Sequence, residues 1–362
     1  MPAVPPLRLG TALVRLLPIA AVVVVVLAVA TTLAVAGDTL GYDFRAYHAA
    51  AARVWAGLSA YDLDFTLAGA FGLFFYPPSF LPLVLPFGLL DAGVATWLWI
   101  ALLASAFAGA VAAMPVETRV KWWIVLLAGL SWPFVYNMKL GQVGPLLLLG
   151  FALAWRWLER PAGFGIAAAV GAALKLQPGI LLGWALLTRR WRALAAGIVA
   201  LAVLVLAGTL ITGVDGWFTF AGLLARVSDP IVTPQNCTPG AVLWQMGVDR
   251  GIAGAVQVAW TATVVLVVVV AALRLPPVAS FLAFVIATQL VSPILWDHYA
   301  VILLLPVAWL LDRGHRWAML IPLATSLFLV GEIPPAVYPV AFVVVLAAVF
   351  REGQRMPGPA VG

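Results

Sequence analysis

The sequence has little charge and almost no cysteine, and each shortage excludes a class of protein. Only 9% of its 362 residues are charged, whereas a soluble globular domain carries about 25%. So few charges cannot cover the surface of one or two water-soluble domains of this length. The single cysteine, Cys237, excludes an intrachain disulfide, a CxxC redox pair and a cysteine metal cluster.

Three common catalytic signatures are also missing. The chain has no GxxxxGKS/T phosphate loop, no GxSxG elbow and no HExxH zinc pair. Energy and substrate must therefore come from something other than cytoplasmic ATP bound by this chain. The formal net charge of +6 does not predict a nucleic-acid partner, because cytoplasmic loops of membrane proteins collect Lys and Arg.

Long apolar runs are what the sequence does have. Hydrophobic residues make up 64% of the chain, and they cluster in stretches such as 19–36 and 258–273. Runs of this kind match bilayer-spanning helices, which need about 20 apolar residues. The composition therefore predicts an all-α, polytopic membrane protein.

Twelve apolar segments predict membrane spans. They lie near residues 16–36, 92–114, 122–137, 143–158, 162–175, 178–188, 193–212, 252–273, 277–291, 299–311, 317–331 and 335–350. The first is longer than the ~7–15 apolar residues of a cleaved signal peptide, so we expect it to be retained. Residues 77–90 contain two prolines and are too short to span comfortably, so they predict an interfacial or re-entrant helix.

The basic residues orient these spans. With both termini in the cytoplasm, 14 of the 20 basic residues and only four of the 14 acidic residues lie on the cytoplasmic side, as the positive-inside rule demands. We expect a multi-pass membrane protein with long outer segments at 37–91 and 213–251. Residues 1–350 then form one membrane domain, and 351–362 form a disordered tail.

The first outer segment carries two acidic motifs. Asp43 and Tyr47 are one helical turn apart, and a carboxylate at the membrane surface suits a general base. Asp43 equally suits an N-cap of the helix that follows it. Asp62 and Asp64 have the i, i+2 spacing of a divalent-metal clamp, but a solvated turn fits them better.

A lysine near a helix break marks a second place of interest. Lys175 ends a predicted span that is short for a hydrocarbon layer of about 30 Å, and Pro178 breaks the helix behind it. Short helices beside full-length ones leave a water-filled hollow, which we place on the outer side around Lys175. Its ammonium suits a lipid phosphate; the alternative is a lysine that snorkels from lipid to water.

Further polar residues lie at the outer mouth of two late spans. His298 can donate to a phosphate or move a proton, and Asp297 can fix its charge state. The neighbouring Trp296 and Tyr299 equally fit an aromatic interface belt. Neither His48 nor His315 has comparable neighbours, and we assign them no role.

Together these motifs resemble the GT-C membrane glycosyltransferases, and more closely glycosyltransferase family 87, which includes polyprenol-phosphate-mannose-dependent α-mannosyltransferases. The likeness extends over residues 38–311. It rests on Tyr42-Asp43-Phe44 with Tyr47, Gly57 with Tyr61-Asp62, Tyr76-Pro77-Pro78, Gly141-Gln142, Lys175 with Pro178, and Ser292-Pro293 with Trp296, His298 and Tyr299. One position departs from the family pattern, because members often have Asn two residues after the Gln and this chain has Gly144.

The resemblance implies a GT-C-like bundle with interfacial helices in the first outer loop. It also implies an inverting transfer on the outer face, from a sugar on polyprenyl monophosphate to a lipid or glycan acceptor, without metal or cofactor. The roles that it implies follow this pattern: Asp43 as the base, Lys175, His298 and Tyr299 beside the donor phosphate, Gln142 on the sugar, and Tyr47, Asp62 and Asn236 as acceptor-side or supporting residues.

Two other functions remain open from the residues alone. Broken helices and charges at membrane depth are also typical of secondary transporters, and a flippase for a lipid-linked sugar is a further alternative. Against a transporter, intramembrane acids are scarce, the two halves show no matching interruptions, and the long outer loops would be unexplained.

Overall fold

The computed structural model describes residues 11–62, 72–227, 229–326, 331 and 333–356, and within these ranges the chain is helix and loop without strands. The α-helices are α1 (Thr11–Ala34), α2 (Tyr42–Trp55), α3 (Leu81–Val84), α4 (Ala92–Ala113), α5 (Thr118–Leu130), α6 (Trp132–Leu140), α7 (Gly144–Arg156), α8 (Pro161–Leu174), α9 (Ile180–Leu187), α10 (Trp191–Thr212), α11 (Asp215–Val227), α12 (Pro239–Gln245), α13 (Arg250–Arg274), α14 (Pro277–Leu290), α15 (Leu304–Asp312), α16 (Leu320–Ala324) and α17 (Val337–Arg355). The prediction of an all-helical protein is confirmed.

Five of these helices are long and apolar enough to cross a membrane. They are α1 from Leu16, α4, α10, α13 and α17, and a sixth span results if α6 and α7 are taken as one bent unit. This finding, which covers only the described residues, agrees with a membrane protein. The number twelve stays a prediction, because several of the predicted spans consist of shorter helical pieces.

The breaks within predicted spans follow local sequence. The span predicted at 122–137 is divided between α5 and α6 at Ser131, where the backbone is extended and Pro133 follows in the first turn of α6. The span predicted at 299–311 begins as a 3-10 helix, Asp297–Leu303, and continues as α15. Part of the span predicted at 317–331 lies outside the described residues.

Two other predicted segments take a more specific form. Residues 78–89 form a 3-10 turn, the short helix α3 and a second 3-10 turn; their position at the membrane interface stays a prediction. The last helix continues to Arg355, so residues 351–355 of the expected disordered tail are helical. The remainder of that tail lies outside the described residues.

A helix buried on nearly all sides organises the bundle. In α14 every residue from Ala279 to Leu290 is buried, and α9, α13 and α17 pack against it. In contrast, α10 and α13 bury few of their side chains, and their apolar surfaces are suited to face lipid. The central helix α14, which has polar residues at its end, is thus surrounded by helices whose outer surfaces can face lipid.

Hydrogen bonds between loops join segments that the basic residues place on the same side. The Glu117 amide donates to Asp312, and Arg190 pairs with Glu159; all four residues are predicted to be cytoplasmic. Cys237 donates its amide to the carbonyl of Leu295 between two predicted outer segments. These contacts agree with the predicted order of membrane crossings. They do not show which face of the membrane is cytoplasmic.

The single native cysteine makes that assignment testable. Thr39 and Thr118 are both exposed and lie on opposite predicted sides. In a Cys237→Ser background, a membrane-impermeant maleimide should label Thr39→Cys in intact cells. It should label Thr118→Cys only after the membrane is opened. The reverse pattern would contradict the predicted orientation.

Candidate active site

The loop between α6 and α7 places Gln142 at the centre of the site. Gly141 ends α6 with φ 69°, a left-handed conformation that disfavours other residues. A Cβ atom there would also lie 2.7 Å from the Cβ of Phe44. Pro145 lies in the first turn of α7, and the chain bends by 119° between α6 and α7. Gln142 therefore projects from a sharp bend rather than from a helix face.

The first turn of α2 is docked against this bend. The Gly41 amide donates to the carbonyl of Lys139 at 2.8 Å. The Trp99 indole donates to the carbonyl of Gly141 at 2.7 Å and stacks on Phe44. These contacts bring the start of the first outer segment to residues a hundred positions later in the chain.

Asp43 and Gln142 form the polar centre of this junction. Gln142 Nε2 donates to Asp43 Oδ2 at 2.9 Å, while Gln142 Oε1 accepts from the hydroxyls of Tyr47 at 3.0 Å and Tyr76 at 2.6 Å. Two hydroxyls on the oxygen orient the amide, so its N–H group is directed at the carboxylate. The N-cap position belongs to Gly41, and the N-capping alternative for Asp43 is therefore wrong.

The surroundings of Asp43 affect its protonation. Burial raises the pKa of the Asp43 carboxyl above its ordinary value, while the positive charges of His298 and Lys175 and the Gln142 hydrogen bond oppose the rise. Desolvation disfavours the charged form, and nearby cations favour it. A half-buried carboxylate with a raised pKa is better suited to accept a proton than an exposed one.

Lys175 belongs to the same region. It follows α8 in extended conformation, and its Nζ lies 3.5 Å from the centre of the Tyr299 ring, a cation–π contact. The ammonium thus points to an aromatic ring inside the bundle. This geometry contradicts the alternative of a lysine that snorkels from lipid.

His298 is buried among aromatic rings, with 3% of its surface exposed. It packs on Trp296, Tyr299 and Tyr136, and neither ring nitrogen has a hydrogen-bond partner among the described residues. Its Nδ1 lies 3.3 Å from Asp297 Oδ1. An interface belt would face headgroups, whereas this ring is enclosed, so the belt alternative does not fit His298.

Asp297 is held as an anion beside that ring. Burial raises the pKa of its carboxyl, but the interaction with His298 outweighs that effect with help from the Trp132 indole, and the pKa lies below its ordinary value. The Trp132 Nε1 donates to Asp297 Oδ2 at 2.8 Å. Asp297 therefore provides a fixed negative charge next to His298.

A small cavity joins these groups. Its polar lining comes from four parts of the chain: Asn137, Gln142, Lys175, Gln289, His298 and Tyr299. The free space is about 10 Å³, room for one water-sized group. Gly144 also lines it, and a Cβ atom there would overlap Asn137 Oδ1. The amide of Asn137 thus fills the space beside the residue that departs from the family pattern.

The remaining predicted residues lie apart from the cavity. Asp62 pairs with Arg53 at 3.4 Å and does not line the cavity; Asp64 is outside the described residues. Among described residues, no three His, Cys, Asp or Glu side chains are grouped to hold a metal. Tyr47 supports the Gln142 amide, as described above.

Asn236 has a supporting position rather than one open to a substrate. Its Nδ2 donates to the carbonyls of Pro230 and Pro293, and its Oδ1 accepts from the amides of Thr238 and Leu295. These bonds tie the second outer segment to the loop before His298. With donor and acceptor groups both in use, Asn236 is poorly placed to contact an acceptor substrate.

Sequence reasoning missed three residues of the site. Tyr76 entered only as part of the Tyr76-Pro77-Pro78 motif, Asn137 was assigned no role, and Gln289 was not noticed. A signal existed for Gln289, since an amide near the end of an otherwise apolar buried helix is costly without a purpose. Nothing in the local sequence shows that Asn137 and Gln289 line the same cavity.

The fold and this site define a helical membrane protein with a cluster of polar and ionisable side chains at the junction of its loops. The profile described as glycosyltransferase family 87 matches residues 74–295, and the chain belongs to this family. The matched range includes Gln142 and Lys175, but it begins after Asp43 and ends before His298.

One curated relative is the polyprenol-phosphate-mannose-dependent alpha-(1-2)-phosphatidylinositol pentamannoside mannosyltransferase of Mycobacterium tuberculosis (strain CDC 1551 / Oshkosh). It is 27% identical over 262 residues, which cover 67% of this chain and 59% of the relative. The chain therefore matches about three fifths of that protein's length. No solved structure matches the chain.

Proposed function

We propose that this protein is an inverting glycosyltransferase that moves a hexose from a polyprenyl-phosphate donor to a hydroxyl of a lipid or glycan acceptor. By analogy with the relative, this hexose is mannose. The reaction would occur on the outer face of a bacterial plasma membrane, with both termini cytoplasmic. The observation that carries the proposal is that Gln142 donates a hydrogen bond to the Asp43 carboxylate and lines the same cavity as Lys175.

Asp43 is proposed as the general base. It takes the proton of the acceptor hydroxyl while the hydroxyl oxygen forms a bond to the anomeric carbon of the donor. Gln142 directs its N–H group to Asp43 Oδ2, which leaves the other carboxylate oxygen available for this proton. The new bond forms on the face opposite to the leaving group, so the anomeric configuration inverts.

Lys175 and His298 are proposed to receive the leaving phosphate. As the bond between the anomeric carbon and the phosphate oxygen breaks, its electron pair passes to that oxygen. A cation positioned beside the phosphate stabilises the growing negative charge. The polyprenyl chain remains in lipid, which accounts for a charged site among helices as short as α8 and α9.

The direct test is turnover by the purified full chain in liposomes. Polyprenyl-phosphate-mannose and a phosphatidylinositol mannoside acceptor should yield a mannosylated lipid with inverted anomeric configuration. Lipid and glycan profiling of a deletion strain would identify the acceptor, because its unmodified precursor should accumulate. Transport of the donor without any transfer would instead favour a flippase.

The raised pKa of Asp43 predicts the acidic limb of the pH profile. Protonated Asp43 cannot act as a base, so kcat/KM should fall at a pH above the ordinary Asp pKa of about 3.9. Gln142→Met removes a hydrogen bond that favours the carboxylate, which raises the pKa of Asp43 further and should shift this limb to higher pH. Gln257→Met, a change of a buried glutamine in α13, should leave the limb unchanged. An unshifted limb in Gln142→Met would contradict the role of Asp43.

A further inference from the structure

The cavity beside Lys175 collects polar atoms that lack hydrogen-bond partners. Among the described residues, unpaired buried side-chain atoms include Asn137 Oδ1, Gln289 Oε1 and both ring nitrogens of His298. All three side chains line the same small cavity. Because buried polar groups are paired in the great majority of cases, a cluster of unpaired ones indicates a polar partner at this place, either a water molecule or a group of a ligand.

The chemistry of Asn137 restricts the ligand. Its Nδ2 donates to the carbonyl oxygens of Pro133 at 2.6 Å and His298 at 2.7 Å. These two bonds establish which end of the amide is nitrogen, so the unpaired atom is the carbonyl oxygen, a hydrogen-bond acceptor. It needs a donor such as a hydroxyl group. An ionised phosphate offers only acceptors and would be repelled.

Gln289 presents a second acceptor from another helix. Its Nε2 donates to Thr288 Oγ1 at 3.0 Å, and its Oε1 is the unpaired atom. Asn137 is in α6 and Gln289 in α14, so neither position follows from the other in sequence. Asn137 and Gln289 both line the cavity that Lys175 also lines, so the residues around it include two with unpaired acceptor oxygens and one with an amino group.

Gly144 keeps the space for the Asn137 amide. A Cβ atom at this position would overlap Asn137 Oδ1 and would lie 2.9 Å from Val301 Cγ1. Its backbone is helical, so no unusual conformation requires glycine here. The steric need for a residue without a side chain comes from the Asn137 amide and from Val301, so a larger residue here would displace one or both of these side chains.

Resting on the proposed function, we infer that Asn137 and Gln289 recognise the hexose of the donor by accepting hydrogen bonds from its hydroxyl groups. Lys175 and His298 then hold the phosphate on the other part of the lining. The free space of about 10 Å³ fits a hydroxyl group rather than a sugar ring, so the contact is to one edge of the hexose. These two amides determine which hexose is transferred.

Monodeoxy donors test this inference. The wild type is assayed with polyprenyl-phosphate-mannose and with its analogues that lack the hydroxyl at C2, C3, C4 or C6. At least one analogue should lose about 10- to 100-fold in kcat/KM, because it leaves a buried acceptor unpaired. In Gln289→Met and Asn137→Leu, kcat/KM for the natural donor should fall. The difference in kcat/KM between the natural donor and that analogue should then shrink toward onefold.

Two matched controls separate recognition from general damage. Gln257→Met also removes a buried amide, but in α13 away from the cavity, and it should keep the wild-type discrimination. Gly144→Ala should weaken discrimination by displacing the Asn137 amide. Gly150→Ala, in the same helix, should not, because the nearest atom to its Cβ would be 3.9 Å away.

The outcomes distinguish the two proposals. If Gln289→Met and Gly144→Ala both discriminate between the natural donor and the deoxy donors as strongly as the wild type, the role of the amides is overturned, even if Asn137→Leu fails to fold. Equal use of all four deoxy donors by the wild type would overturn it as well. A wild type that transfers no sugar from any donor would instead remove the proposed function on which the inference rests.

Discussion

Asp43→Asn should lower kcat by about 10²- to 10⁴-fold, the usual contribution of a general base. The substitution preserves the size of the side chain, and the asparagine Oδ1 can still accept the hydrogen bond of Gln142. The amide has no basic oxygen of comparable strength, so the acceptor hydroxyl keeps its proton. The measurement is turnover of a polyprenyl-phosphate sugar by purified protein at saturating donor and acceptor.

The matched control lies in the same outer segment. Asp38 is exposed, and Asp38→Asn should leave turnover unchanged, which separates the loss of a negative charge from the loss of the base. The KM for the donor should also change little in Asp43→Asn, because the phosphate is held by other residues. Turnover of Asp43→Asn at the wild-type rate would remove Asp43 as the base.

Lys175→Met should lower kcat/KM for the donor by about 10²- to 10³-fold, comparable to the loss of one preorganised charge-stabilising group. Methionine retains an unbranched side chain that can contact the Tyr299 ring, so packing is largely preserved. The ammonium is then absent when negative charge develops on the phosphate. Both kcat and the apparent affinity for the donor should fall.

A second lysine provides the comparison. Lys121 donates to the carbonyl of Ala112 on the predicted cytoplasmic side, and Lys121→Met should retain donor use. Stability of both variants can be followed by thermal unfolding in detergent. Unchanged dependence on donor concentration in Lys175→Met would mean that the Lys175 ammonium contributes nothing to donor binding.

Much of the fold was accessible from hydropathy because lipid imposes a simple rule. At membrane depth every backbone N–H and C=O group must be hydrogen-bonded within a helix. Long apolar runs such as those of α10 and α13 can therefore be recognised as helices from the sequence. The breaks at Gly141 and near Pro178 were equally visible, since these residues interrupt helices through their own backbone preferences. Exact spans were harder, because the extended residue Ser131 divides an apolar run that hydropathy treats as continuous.

The residues of the site and, through the resemblance, their roles were predicted, but the hydrogen bonds that hold them were not. Asp43, Gln142, Lys175 and His298 attracted attention because charged and polar groups are expensive in an apolar sequence. Three local alternatives are contradicted: Gly41 takes the N-cap position instead of Asp43, the Lys175 ammonium lies against the Tyr299 ring, and the His298 ring is enclosed by aromatic side chains. For Lys175 and His298, the deciding contacts come from residues far away in the chain.

The sequence by itself determined that this chain is a helical membrane protein and where its helices break, because both depend on local composition and backbone geometry. Only the tertiary structure decided which way the Gln142 amide points and that Asn137 and Gln289 share a cavity with Lys175. Orientation and convergence depend on hydrogen-bond partners and packing between distant helices, and such partners carry no local signal.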